Sequence, residues 1–196
     1  MTTNSPKDPN RRFWIAVTAV TGGVGLTATA VPFVASLAPS ERALAIGAPV
    51  DVDIQKMKEG ELWTVAWRGQ PVFVLRRSAD ILESLKKHDD LLADPQSMRS
   101  IQPTYTKNVD RSIRPEFSVM VGLCTHLGCI PTYRPTPGAA DIGASWPGGF
   151  YCPCHGSKFD LAGRVFKNVP APTNLVIPPY HFASDGSLLI GVDPKA

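Results

Sequence analysis

The chain has 196 residues and a formal charge of +3, with 20 Lys and Arg against 17 Asp and Glu. That length supports one soluble domain with an appendage, and the soluble part is long enough to bury a core. The weak charge, with no basic patch interleaved with aromatics, argues against a nucleic-acid partner, and 19 prolines and 16 glycines favour a loop-rich β domain over a helix bundle.

The N-terminal stretch comes first. Residues 13–38 carry no charged side chain. This run exceeds the roughly 20 apolar residues that span a bilayer as a helix. Trp14 stands at its start, where an interfacial aromatic is expected. Arg11 and Arg12 precede the run, with Lys7 further out, which places residues 1–12 in the cytoplasm and the remainder outside. Arg11-Arg12-Phe13 also reads as a twin-arginine export signal. A cleaved signal is the competing reading, with Ala43-Leu44-Ala45 as a mimic of its cleavage site. The apolar run is longer than the usual core of about 7–15 residues, so an uncleaved anchor over 13–38 is favoured. Gly22-Gly23-Val24-Gly25 follows no predicted strand and lacks nucleotide-loop spacing.

Residues 39–49 are bounded by prolines and made mostly of small residues, a composition that predicts a flexible hinge. The soluble domain then runs over 50–196. Val50, Val52 and Ile54 alternate with Asp51 and Asp53, predicting a half-buried strand. Leu62 to Ala66 and Val72 to Leu75 predict two strands joined around Arg68-Gly69-Gln70-Pro71. Ser78 is placed to cap a short helix whose Ile81, Leu82 and Leu85 share a face. Residues 94–116 read as a polar, irregular excursion, and Phe117 to Val121 as a strand. Late strands are expected at Leu175 to Ile177 and Leu188 to Val192, the latter after an Asp185-Gly186 turn. Trp63 and Trp67 read as packing residues, and His88 and His181 as surface or structural ones.

All four cysteines and two of the four histidines fall in two strings, Cys124-Thr125-His126-Leu127-Gly128-Cys129 and Cys152-Pro153-Cys154-His155-Gly156-Ser157. Six candidate ligands are two more than tetrahedral zinc takes. A pure disulfide scaffold leaves unexplained a histidine in each cysteine loop. The residues therefore favour an iron–sulfur centre of mixed ligation, with zinc and plain disulfides as the alternatives.

These paired strings resemble the Rieske iron–sulfur proteins, in the form that serves as a subunit of proteobacterial cytochrome bc complexes. The resemblance extends over the anchor, hinge, first strands, both loops and Pro170-Ala171-Pro172, so nearly the whole chain. It implies an all-β, Rieske-type antiparallel domain with an inserted cluster-binding subdomain at about 121–173 and one short helix, carried on a single N-terminal transmembrane helix.

The resemblance also implies one [2Fe-2S] cluster, with Cys124 and Cys152 on one iron and His126 and His155 on the other. Cys129 and Cys154 form the disulfide that links the loops. Such a bond needs an oxidising compartment, and twin-arginine export of a folded, loaded protein fits a periplasmic head on the inner membrane. His155 is the main quinol contact and holder of the linked proton, with His126 as the exposed second ligand. Leu127 and Gly128 line the docking surface, and Pro170-Ala171-Pro172 forms the proline loop over the cluster. Ser157 matches a serine that hydrogen-bonds a bridging sulfide. Phe159 stands where many relatives carry a donor tyrosine, and Val169 where they often have glycine. Residues 130–151, longer than in mitochondrial relatives, read as a surface excursion.

The function implied is one-electron oxidation of quinol, with delivery of the electron to a c-type cytochrome. Cytochrome b and cytochrome c1 subunits are the partners, in a dimeric complex that contributes to proton translocation. The small subunit of an exported arsenite oxidase is an alternative of the same chemistry, disfavoured by the anchor. Rieske ferredoxins and ring-hydroxylating oxygenases lack the second cysteine pair. A zinc-stapled, membrane-tethered binding module is the alternative of another class.

Overall fold

A computed structural model describes residues 9–194. Lys7 and the rest of residues 1–8 lie outside the described residues. The chain divides into two units, one ending at Ala45 and the other beginning at Ile46.

In the first unit, α1 spans Pro9–Ala35. Its stretch Asn10–Ala35 has a mean hydropathy of 1.5 and is long and apolar enough to cross a membrane. At 1.5 Å per residue it is about 40 Å long, more than the hydrocarbon core of about 30 Å. The hydroxyls of Thr18, Thr21, Thr27 and Thr29 donate to carbonyls four residues back, so none needs an outside partner. Pro32 lies inside the helix. The apolar run expected to end at residue 38 leaves helical geometry after Ala35. Within 39–49 there is a second helix, α2 (Glu41–Ile46), where composition suggested only a flexible linker. Ser40 caps it, its Oγ accepting the Ala43 amide at 3.2 Å.

The second unit contains three antiparallel three-stranded sheets. The middle one joins β2 (Leu62–Trp67), β3 (Gln70–Arg76) and β4 (Phe117–Val121). Alternation along β3 and β4 gives it two apolar faces. Val72, Val74 and Val119 pack with Val52, Ile177, Tyr180, Leu188 and Ile190. That side belongs to a sheet of β1 (Val50–Asp53), β8 (Tyr180–Ser184) and β9 (Ser187–Ile190), ordered β1-β9-β8. Phe73, Leu75 and Met120 face the other way and pack with Phe150, Phe159, Cys124 and Cys152. That side belongs to the small sheet β5 (Thr132–Arg134), β6 (Gly149–Tyr151) and β7 (Lys158–Phe159). Both cysteine loops thus rest on one buried cluster.

Several expectations change. The β2–β3 turn is only Arg68-Gly69, with φ of 50° and 73°, so Gln70 and Pro71 already belong to β3. Leu175 to Ile177 is not a strand, because its backbone bonds go to three separate segments. The Leu175 amide donates to Gly163, the Val176 carbonyl accepts from Val121, and the Ile177 amide donates to Ile101. The strand expected to reach Val192 stops at Ile190, where Gly191 takes a φ of 105°. β8 was not foreseen. Helix α3 (Ala79–Leu85) forms as expected, with Ser78 accepting the Ile81 amide.

The excursion at 94–116 is irregular but not peripheral. Arg111, 1% exposed, donates to the carbonyls of Ala162 and Leu175 at 2.9 and 2.7 Å. Arg77 reaches into it from β3's end, donating to the Pro115 and Asp110 carbonyls and to Ser112 Oγ. Burial lowers both guanidinium groups to about 10, leaving them cationic at neutral pH. His88 is structural, buried with its ring stacked on Phe166 at 6.2 Å. His181 is half-buried against the Val192 carbonyl.

Candidate metal centre

The two cysteine loops repeat one backbone pattern. In the first, the Gly128 amide donates to the Cys124 carbonyl and the Cys124 amide to the Cys129 carbonyl. In the second, Gly156 donates to Cys152, and Cys152 donates to Ser157. Both turns need a positive φ at their fifth residue, 82° at Gly128 and 76° at Gly156, which glycine adopts without strain. Cys124 and Cys152 therefore occupy equivalent first positions, and Cys129 and Ser157 equivalent sixth ones.

This geometry brings the expected residues together in pairs. Cys124 and Cys152 are free thiols, 3% and 2% exposed. His126 is half-buried and His155 exposed, and their rings meet edge to face at 4.8 Å between centroids. Cys129 and Cys154 are disulfide-bonded across the loops. The sulfurs of Cys129, Cys152 and Cys154 lie within 4.8 Å of one another. The disulfide removes two of these as thiolate ligands, so the available donors are two thiols and two imidazoles.

That donor set fits an iron–sulfur group of mixed ligation. Burial, followed by the neighbouring Cys124 thiol, pushes the Cys152 thiol above its ordinary value. Such a thiol stays protonated until a metal draws off its proton. Ser157 is fully buried, and its oxygen accepts the Ala171 amide at 3.0 Å, leaving its own hydrogen to be donated. Phe159 is fully buried in the cluster that contains both thiols and offers no donor.

The first histidine loop and the proline segment expose apolar residues. Leu127 is 72% and Ile130 56% exposed, and Gly128, Pro170 and Pro172 are exposed as well. Ala171, between the two prolines, is buried. Three contributors were not singled out from sequence. Ile130 extends the apolar rim. Thr125 donates to the Thr173 carbonyl at 2.7 Å, tying the first loop to the segment after the prolines. Trp146, in the supposed surface excursion, is 3% exposed, and the ends of that excursion pair as β5 and β6. The apolar character of Ile130 beside the motif was a usable signal. Nothing local distinguished Thr125 or Trp146.

Residues 49–181 match the family model described as the Rieske [2Fe-2S] domain. Residues 1–40 match the one described as "Ubiquitinol-cytochrome C reductase Fe-S subunit TAT signal". The chain is 57% identical over 183 residues to the ubiquinol-cytochrome c reductase iron-sulfur subunit of Allochromatium vinosum, covering 93% of this chain and 88% of that one. It is 39% identical to the subunit of the same name from Blastochloris viridis, covering 92% of each. The corresponding subunit of Bradyrhizobium diazoefficiens is 38% identical, with 97% of this chain and all of that one covered.

Proposed function

The chain belongs to the Rieske [2Fe-2S] family, and from that premise we propose that Cys124 and Cys152 hold one iron of its cluster and His126 and His155 the other. It acts as a subunit of a quinol–cytochrome c oxidoreductase, and its cofactor is one [2Fe-2S] cluster. When bound, that group supplies one-electron transfer between quinol and a c-type cytochrome, at a potential of about −150 to +300 mV because neutral imidazoles replace two thiolates.

The observation that carries the assignment is the edge-to-face pair of imidazoles on two matching loops that also hold two buried free thiols and are clamped by the Cys129–Cys154 disulfide. His155, the more exposed ring, accepts the quinol hydroxyl and holds its proton on the nitrogen turned from the metal. His126, half-buried, is the second histidine ligand. Leu127, Gly128, Ile130, Pro170 and Pro172 exclude water and dock against a cytochrome b subunit. The stiff Pro170-Ala171-Pro172 loop covers the site. Ser157 donates to a cluster sulfur, and Phe159 packs where a hydroxyl donor is absent.

α1 anchors the chain in the inner membrane with its N-terminus cytoplasmic and the head periplasmic. Residues 39–49 form the hinge, α2 included, on which the head moves between cytochrome b and cytochrome c1 in a dimeric complex. The twin-arginine signal exports the loaded head, after which a thiol oxidant of the oxidising periplasm takes two electrons and two protons from Cys129 and Cys154 to form the disulfide.

Purification of the membrane complex tests the reading. Two irons and two labile sulfides per chain are expected, with a reduced-state EPR signal of mixed Cys/His ligation and co-purifying b- and c-type haems. A colourless protein holding zinc overturns it.

A further inference from the structure

We infer that Trp146 and Val169 are positioning residues for Ser157 and the proline loop, acting through the backbone of residues 169–171. The inference rests on the assignment of Ser157 as a donor to the cluster.

Residues 135–148, between β5 and β6, contribute no ligand, yet they are fastened at several points. Arg134 pairs with Asp141. Trp146 Nε1 donates to the Arg134 carbonyl at 3.0 Å, and the Gly138 amide donates to the Trp146 carbonyl at 2.8 Å. The Trp146 ring packs on Phe166 at 5.8 Å and, with Leu92, forms a small core covered by Ala139, Ile142 and Val169. Val169 packs on a second core as well, the one that contains Cys124, Cys152 and Phe159. It thus joins the excursion to the floor of the metal centre.

Two residues beyond Val169, the buried Ala171 amide donates to Ser157 Oγ. A hydroxyl oxygen with one fixed incoming donor has few directions left for its own proton. Anything that holds residues 169–171 in place therefore aims the Ser157 hydroxyl. Asn168, at a φ of 58°, turns the chain sharply just before Val169, so side-chain packing at 169 is the first restraint after the turn. An open cleft of about 400 Å³ borders Trp146, Phe166 and Val169. Truncating either positioning side chain enlarges that cleft towards solvent, and the lost contact is not recovered by collapse.

The test uses the full chain in its membrane complex, with Ser157→Ala, Trp146→Ala, Trp146→Phe and Val169→Ala compared for midpoint potential, reduced-state EPR signal and amide deuterium uptake at 169–173. Trp146→Ala and Val169→Ala are expected to speed that uptake and to shift the potential in the direction of Ser157→Ala, by less. Trp146→Phe restores both readouts towards the parent, and Trp146→Ala adds no shift on a Ser157→Ala background. Val169→Ala leaves the excursion intact and carries the test if Trp146→Ala does not assemble. A shift in Ser157→Ala with none in Trp146→Ala or Val169→Ala, or additive shifts in the double variant, overturns the inference alone. An unchanged potential in Ser157→Ala overturns the assignment of Ser157, and the inference with it.

Discussion

The Thr125 hydroxyl donates to the Thr173 carbonyl at 2.7 Å, joining the interior of the first cysteine loop to the residue that follows the proline loop. The bond crosses 48 residues of sequence and holds the segment after Pro172 against His126's own turn. Thr125→Val keeps the shape and removes the donor. A loss of about 1 kcal/mol of stability is expected, read by denaturant titration of the assembled head. Faster release of iron on dilution into chelator should accompany it.

Phe159→Tyr is expected to raise the midpoint potential. Phe159 lies fully buried in the core cluster that also contains Cys124 and Cys152, and the resemblance places a donor tyrosine at this position. A donor bond that favours the reduced state by about 1 kcal/mol corresponds to about 40 mV for one electron. Redox titration of the variant against the parent measures it, and a fall in potential counts against the proposed role of position 159.

The Cys129–Cys154 disulfide closes a loop with a sequence separation of 25. Chain-entropy estimates for such a loop give about 3.5 kcal/mol. Cys129→Ala with Cys154→Ala should therefore lower the melting temperature and make iron loss coincide with the first unfolding step. Calorimetry with simultaneous absorbance of the bound iron distinguishes that from a cluster that survives unclamped.

His88 gives a pH dependence of known sign. Its ring is buried and stacked on Phe166, and its Nε2 lies 3.9 Å from Asp160 Oδ2. Burial outweighs the Asp160 attraction and holds His88 below its ordinary value of 6.5. The unfolded chain therefore takes up this proton before the folded chain does. The contribution is complete above pH 6.5 and is lost as pH falls through the lower folded value. Denaturant unfolding at a series of pH values should show this decline in the parent and a flatter profile in His88→Gln.

The candidate metal centre was the most legible part of the sequence, because each loop carries its proposed ligands, its positive-φ glycine and its sixth residue within six positions. Helix α3 was legible for the same local reason, through the Ser78 cap. What escaped depends on distant segments. Leu175 to Ile177 reads as a strand until its hydrogen bonds are found to go to Gly163, Val121 and Ile101 separately. Trp146 reads as a loop residue until Phe166 and Leu92 are brought beneath it. The helix over 41–46 was hidden by flanking prolines, although Ser40 and Gly47 bracket it as cap and stop.

Arg111 reaches carbonyls 51 and 64 positions further along the chain, one on either side of the proline loop. Neither bond can form while synthesis has passed only the first cysteine loop. Such long-range closure is slow compared with local structure. The Arg111 bracket around the proline loop therefore closes only after the chain through Leu175 has been made.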